Sequence, residues 1–200
     1  MTQDNRPNSF DASTRTLLTI QAKGGGTKKQ YRITTTSTDK SGGAKDFDVI
    51  ANYADGFIKK HGDRTPIELT LEGYAVEVGK PTETEGTGYD GLMNTATDVD
   101  GLTTAELDND RTEYILVYEK TTDTTATDAM AASSEGARAI RYQFKNGNFT
   151  DVAFNDTDGK ILKYTIKFKT APADIEGNEN FKMESTNGTS STVLPEITYA

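Results

Sequence analysis

The chain contains no cysteine, no tryptophan and a single histidine, His61. The first absence excludes a disulfide frame, thiolate metal sites and a cysteine nucleophile. The second removes the usual platform on which sugars stack. One histidine gives a serine-type triad only one base, with no nucleophile motif near it, and gives zinc no second imidazole. Apolar residues are also scarce, at 34% of 200 residues with a mean hydropathy of −0.66. No apolar run approaches the roughly 18 residues of a membrane span, and the opening MTQDNRPNSFDAS has no apolar signal core. The expectation is a chain made in the cytoplasm, with no membrane partner and one real core bordered by arms and loops. Base is in the minority too: 22 Lys and Arg against 31 Asp and Glu give a net charge of −9. That argues against a surface that grips duplex phosphate, though not against one that nucleic acid slides past.

What is present is alternation. Ala139 to Lys169 carries Ile140, Tyr142 and Phe144 on one face, and Leu162, Tyr164, Ile166 and Phe168 on one face further on. Arg141, Gln143 and Lys145, then Lys163, Thr165, Lys167 and Lys169, lie opposite. A period of two is that of a half-buried strand. Asn146-Gly147 and Asp158-Gly159 have hairpin turn chemistry, so the stretch predicts a three-stranded antiparallel meander.

Other strands are predicted at Arg15 to Lys23, Tyr31 to Thr38, Ile67 to Val78 and Thr112 to Lys120. Gly24-Gly25-Gly26 and Gly42-Gly43 end the first two. The third changes apolar parity at Gly73, which predicts a bulge there. The fourth, TEYILVYEK, is nearly all apolar and is expected to be covered on both faces. Phe47, Ile50, Ala51, Ala54, Phe57 and Ile58 follow a helical period, with acids Asp46 and Asp48 in the first turn and Lys59, Lys60 and His61 in the last, so a helix is predicted. His61 is then a helix-terminus cation. The layout is an N-terminal arm at 1–12, a β-sandwich domain at 13–170 with long polar loops at 79–111 and 121–137, and a tail at 171–200. A short helix at Tyr89 to Ala96 and a strand at Thr192 to Tyr199 are further candidates.

No motif carries a reaction. Gly86, Gly88 and Gly91 match a dinucleotide loop, but a polar PTETE run separates them from any strand. Asp98 and Asp100, and Asp156 and Asp158, suggest calcium, yet the acids required at the ends of that loop are absent and turn chemistry explains them. The sequons at Asn148, Asn155 and Asn187 have no secretory context. Neither a catalytic residue nor a cofactor is expected, and the chain is not read as an enzyme. The lysine stripe on the last strand of the meander has no interleaved aromatics for stacking bases. Glu68 and Glu72 form a complementary acidic stripe, so a contact between subunits is favoured.

A strand like IELTLEGYAVEVG, a short helical candidate, a strand like TEYILVYEK, a KNGN turn and a closing KILKYTIKFKT together resemble tailed-bacteriophage tail tube proteins. The resemblance covers roughly residues 65 to 170 and is one of layout. It implies a mainly β fold: an antiparallel β-sandwich with one flanking α-helix, whose inner sheets form a shared β-barrel in a ring oligomer. It further implies stacked hexameric rings in a virion tail, passage of DNA without sticking, and tape-measure, tail-terminator and baseplate proteins as partners. The faces that would line a lumen or meet a neighbouring subunit are those of Glu68, Thr70, Glu72, Arg141, Lys163, Thr165, Lys167 and Lys169. Two alternatives stay open: another virion component such as a capsid decoration protein, and a β-sandwich module that binds glycan or calcium.

Overall fold

The computed structural model describes residues 15–25, 28–51, 57–75, 112–157, 161–189 and 192–199. Nine strands run in order: β1 (Arg15–Ala22), β2 (Lys29–Ser41), β3 (Lys45–Ala51), β4 (Phe57–Arg64), β5 (Ile67–Ala75), β6 (Tyr114–Thr121), β7 (Arg138–Thr157), β8 (Ile161–Thr170) and β9 (Phe181–Asn187). Seven of them make one antiparallel sheet in the order β6-β1-β2-β5-β8-β7-β9. An additional antiparallel pairing of β6 with β7 joins the ends into a closed ring of hydrogen-bonded neighbours, with β9 hanging from β7.

The mainly β, antiparallel expectation holds, and the helix does not. Within Phe47 to Ile58, the described residues 47–51 and 57–58 fall in a separate two-stranded sheet, where β3 pairs with β4 and Phe47 stands opposite His61. His61 is therefore a strand residue, and no helix occurs among the described residues. The competing signal was residue type. Phe47, Val49, Ile50, Phe57 and Ile58 are β-branched or aromatic, and Gly56 weakens a helix by about 1 kcal/mol. The GxGxxG glycines, the Tyr89 to Ala96 candidate and the 1–12 arm lie outside the described residues.

The inside of the ring is filled by alternate residues. Leu18 and Ile20 of β1, Leu69 and Leu71 of β5, Leu116 and Tyr118 of β6, and Tyr164, Ile166 and Phe168 of β8 are all buried in one cluster. Each such side chain contributes about 1.5–3 kcal/mol on burial. A second cluster lies on the opposite face of β1 and β6: Leu17, Ile115 and Val117 pack under Ala129 and Met130 of the β6–β7 loop and under Ile197 and Tyr199. The near-continuous apolar run of β6 follows from this double covering. Residues 192–199 form no strand; they run as a strap fixed by Ile197 N–H to Met130 O at 2.8 Å and Ser133 N–H to Leu194 O at 3.1 Å.

One turn reading and the place of one bulge are corrected. Asn146-Gly147 does not reverse the chain, because β7 runs through it for 20 residues. The first part of β7 pairs with β6 and β9, and the second with β8. Asn146 takes the left-handed φ of 51° that a hairpin would use, but here it marks a corner. Its amide donates to Asn180 Oδ1 at 2.7 Å and its side-chain oxygen accepts from the Tyr199 hydroxyl at 2.9 Å. Gly147 is required by packing, since a Cβ would meet Phe168 Cε1 at 2.4 Å. The three residues between β7 and β8, including Asp158 and Gly159, connect a true hairpin but lie outside the described residues. The bulge expected at Gly73 belongs to β2, whose register with β5 shifts between Thr35 and Ser37, whereas β5 pairs with β8 without a break.

Candidate assembly surface

β5 and β8 lie side by side and place the predicted polar residues on one outward face. Glu68 stands opposite Lys169, Thr70 opposite Lys167, and Glu72 opposite Thr165. β2 extends the rows with Ser41, Asp39 and Ser37. β7 extends them on the other side with Asn148, Asp151 and Ala153, and Lys163 opposite Asn155. The face therefore spans four strands and mixes Asp39, Glu68, Glu72 and Asp151 with Lys163, Lys167 and Lys169. The acidic and basic stripes, read from sequence as complementary between subunits, are neighbours within one chain. Opposite charges facing each other across strands contribute roughly 0.2–1 kcal/mol per pair.

Lys167 and Asp151 form an ion pair at 3.3 Å, with side chains 40% and 44% exposed. At that exposure solvent screening leaves little net stabilisation. Lys167→Ala is expected to change the unfolding free energy by less than about 1 kcal/mol in a urea titration. A larger loss would mean that the face is held by charge and not by the core beneath it.

Arg141 is not on this face. It is 1% exposed, inside the chain. Its Nε donates to Glu119 Oε2 at 2.7 Å, and its other nitrogens donate to Pro195 O at 2.7 Å and Ala131 O at 2.5 Å. One guanidinium thus ties β6, β7, the β6–β7 loop and the strap together. Burial pushes the Glu119 carboxyl up to about 7, against the opposing pull of Arg141. The two aspartates of the same loop have local duties. Asp123 accepts from Thr125 N–H and Oγ–H at 2.7 Å, and Asp128 accepts from Lys28 at 3.0 Å and Met130 N–H at 2.8 Å. Among the described residues no group of three or more Asp, Glu or His is placed to hold a metal ion.

Several sheet edges are open among the described residues, and two of them lie near each other. β1 pairs with β2 only as far as Ile33, so residues 34–41 of β2 have β5 on one side alone. β9 has β7 on one side alone. The two edges come close where Lys40 Nζ sits 4.7 Å from the centre of the Phe181 ring. Between the β2 edge and the β6–β7 surface lies an open cleft of about 380 Å³. Leu69, Tyr118, Ile140, Tyr142 and Phe144 line it, and Lys40 and Lys120 stand among its lining residues. β9 and this cleft were missed from sequence: FKMESTN alternates only weakly, and half of the β7 apolar face was assigned to core.

No family model matches the sequence, and no curated protein matches it. Solved structures do resemble the fold. One is a chain of the extended sheath–tube complex of an extracellular contractile injection system, 14% identical, covering 84% of this chain and 88% of that one with a TM-score of 0.39. Another belongs to the baseplate of the anti-feeding prophage, 10% identical, covering 89% and 97% with a TM-score of 0.42. A third is the Hcp protein, 6% identical, covering 88% and 98% with a TM-score of 0.36.

Proposed function

We propose that the chain is a structural subunit of a tail tube, which assembles with copies of itself into stacked hexameric rings around a channel for a phage genome. The observation that carries this reading is that, among the described residues, 34–41 of β2 and the outer side of β9 are open sheet edges beside a polar face that spans four strands. An open edge is a template for another chain, and joining edges between copies removes the liability of each. A sheet continued in this way from subunit to subunit forms a shared barrel. The particular form, with rings, a lumen and tape-measure, terminator and baseplate partners, comes from the sequence resemblance to tail tube proteins. The face suits a lumen wall, because the basic strip of β8 lies directly beside carboxylates that oppose a hold on phosphate. The chain's net charge of −9 works in the same direction.

Negative-stain microscopy of the purified protein is expected to show rings or tubes. A species that stays monomeric at high concentration overturns the reading. Glu68→Lys and Glu72→Lys are expected to leave the chain folded while impairing assembly or DNA passage, because the first sets like charge against Lys169. Wild-type tubes and infectivity in both variants would remove the polar face from the mechanism.

A further inference from the structure

Ile175 is the most exposed large apolar side chain among the described residues, at 104% of its reference area. None of the other described residues covers it. It stands on a rigid turn. Ala173 and Glu179 form a β-bridge, Asp174 N–H donates to Asn178 O at 3.0 Å, and Gly177 N–H donates to Asp174 O at 3.1 Å. The Asp174 carboxylate accepts from Glu176 N–H at 3.0 Å, Asn178 N–H at 2.8 Å and the Asn178 amide at 2.9 Å. The Asn178 side chain, first among these bonds, holds Asp174 below the usual carboxylate range. An apolar knob is thereby presented between two acids, Asp174 and Glu176, with its backbone already ordered, while Glu179 pairs with Arg64 at 3.3 Å in the same chain. Ordering before binding lowers the entropic cost of a contact.

The cleft beside β2 is the complement of that knob. It is apolar and aromatic inside, from Leu69, Tyr118, Ile140, Tyr142 and Phe144, with Lys40 and Lys120 among its lining residues. Met183, 59% exposed, stands beside Tyr142 on the neighbouring strand β9. The knob offers an aliphatic group with acids around it, and the cleft offers apolar walls with two lysines. We infer that the Ile175 turn of one copy docks in the aromatic cleft of the next, with its acids against Lys40 and Lys120. Two different patches meet in such a contact, so it is head-to-tail and propagates into a ring or a filament. The inference rests on the self-assembly reading and adds to it the surfaces that join copies.

The test uses the full chain in sedimentation velocity and microscopy, with circular dichroism to verify folding. Ile175→Asp is expected to weaken self-association about tenfold or more, as loss of a desolvated anchor does. Lys120→Glu is expected to weaken it severalfold, and Glu176→Lys added to Lys120→Glu to restore most of it. The chain lacks cysteine, so Ile175→Cys and Lys120→Cys can be mixed and oxidised. The expected product is a disulfide between the two variants, exceeding the self-linked product of either. Rings or tubes that form unchanged in Ile175→Asp overturn this contact and leave the tube reading standing. A wild-type chain that never associates overturns both. Association lost on removing residues 1–14 but unaffected by Ile175→Asp assigns the cleft to the N-terminal segment and overturns the inference. Saturable binding of a small apolar ligand in the cleft, with no effect on association, also overturns it.

Discussion

Arg141→Met is expected to lower the unfolding free energy by about 3–5 kcal/mol, the cost of leaving one member of a buried ion pair without the other. Glu119 is 2% exposed and Arg141 1%, so neither charge has water to fall back on. The substitution also strips the carbonyls of Pro195 and Ala131 of their donor. The strap at 192–199 and the loop over β6 are then held by packing and a few backbone bonds. In a chain of this length the melting midpoint should fall by about 10 °C. Glu119→Leu combined with Arg141→Met should recover part of that loss, because no charge is left stranded, but not the bonds to the two carbonyls. Hydrogen exchange should rise first in the strap and the 126–134 loop. If the single variant melts with the wild type, the pair is not what ties the strap to the sheet.

The pH dependence carries a definite sign. A carboxyl raised from 4.5 to about 7 by burial binds its proton more tightly in the folded chain than in the unfolded one. Its contribution is therefore fully present below about pH 4.5 and is lost as pH rises through 7. Removing Arg141 takes away the group that opposes the rise, so the deficit of Arg141→Met should grow between pH 5 and pH 8. A deficit that stays constant across that range would mean the carboxylate is ionised throughout in both proteins.

The same pair marks how far the sequence could be read. A single acid, Glu119, follows five apolar residues in TEYILVYEK, and Arg141 sits within an alternating strand. By alternation alone Arg141 reads as solvent-face polarity, and nothing in the sequence singles out Glu119. Only the register that puts Glu119 opposite Arg141 shows that both are inside. Strand existence was legible wherever apolar residues alternate, as in β1, β5 and β8, because one face of each meets the core. The β3–β4 hairpin was misread because its apolar residues also fit a helical period, and a short stretch leaves only residue type to arbitrate. Asn146-Gly147 has the chemistry of a turn. Whether a left-handed residue reverses a strand or corners it depends on partners far along the chain, here Asn180 and Tyr199. The polar face was legible residue by residue, whereas the adjacency of its acidic and basic stripes was not. Strand order is a property of the folded sheet and not of any one segment.

Gly73→Ala is expected to cost about 2–3 kcal/mol, as overpacking between two fixed backbones does. The glycine lies on β5 opposite Tyr164, at the point where β2 bulges between Thr35 and Ser37. A Cβ there would come within 1.9 Å of Thr34 O and 2.6 Å of the Tyr164 hydroxyl. The hydroxyl is the end of a side chain and can withdraw, but the carbonyl belongs to the β2 backbone and accepts from that hydroxyl at 3.3 Å. Relief must therefore come from parting β2 and β5 on the side of the bulge where the free edge begins. Tyr164→Phe added to Gly73→Ala should accordingly fail to restore stability, since the nearer clash is with backbone. Amide exchange should rise along β2 from Thr34 onward and stay unchanged between β7 and β8. Because that stretch of β2 is also the proposed docking edge, the variant should assemble poorly even under conditions where it is fully folded. Full rescue by Tyr164→Phe would show that the ring, and not the β2 backbone, is what requires a glycine at this position.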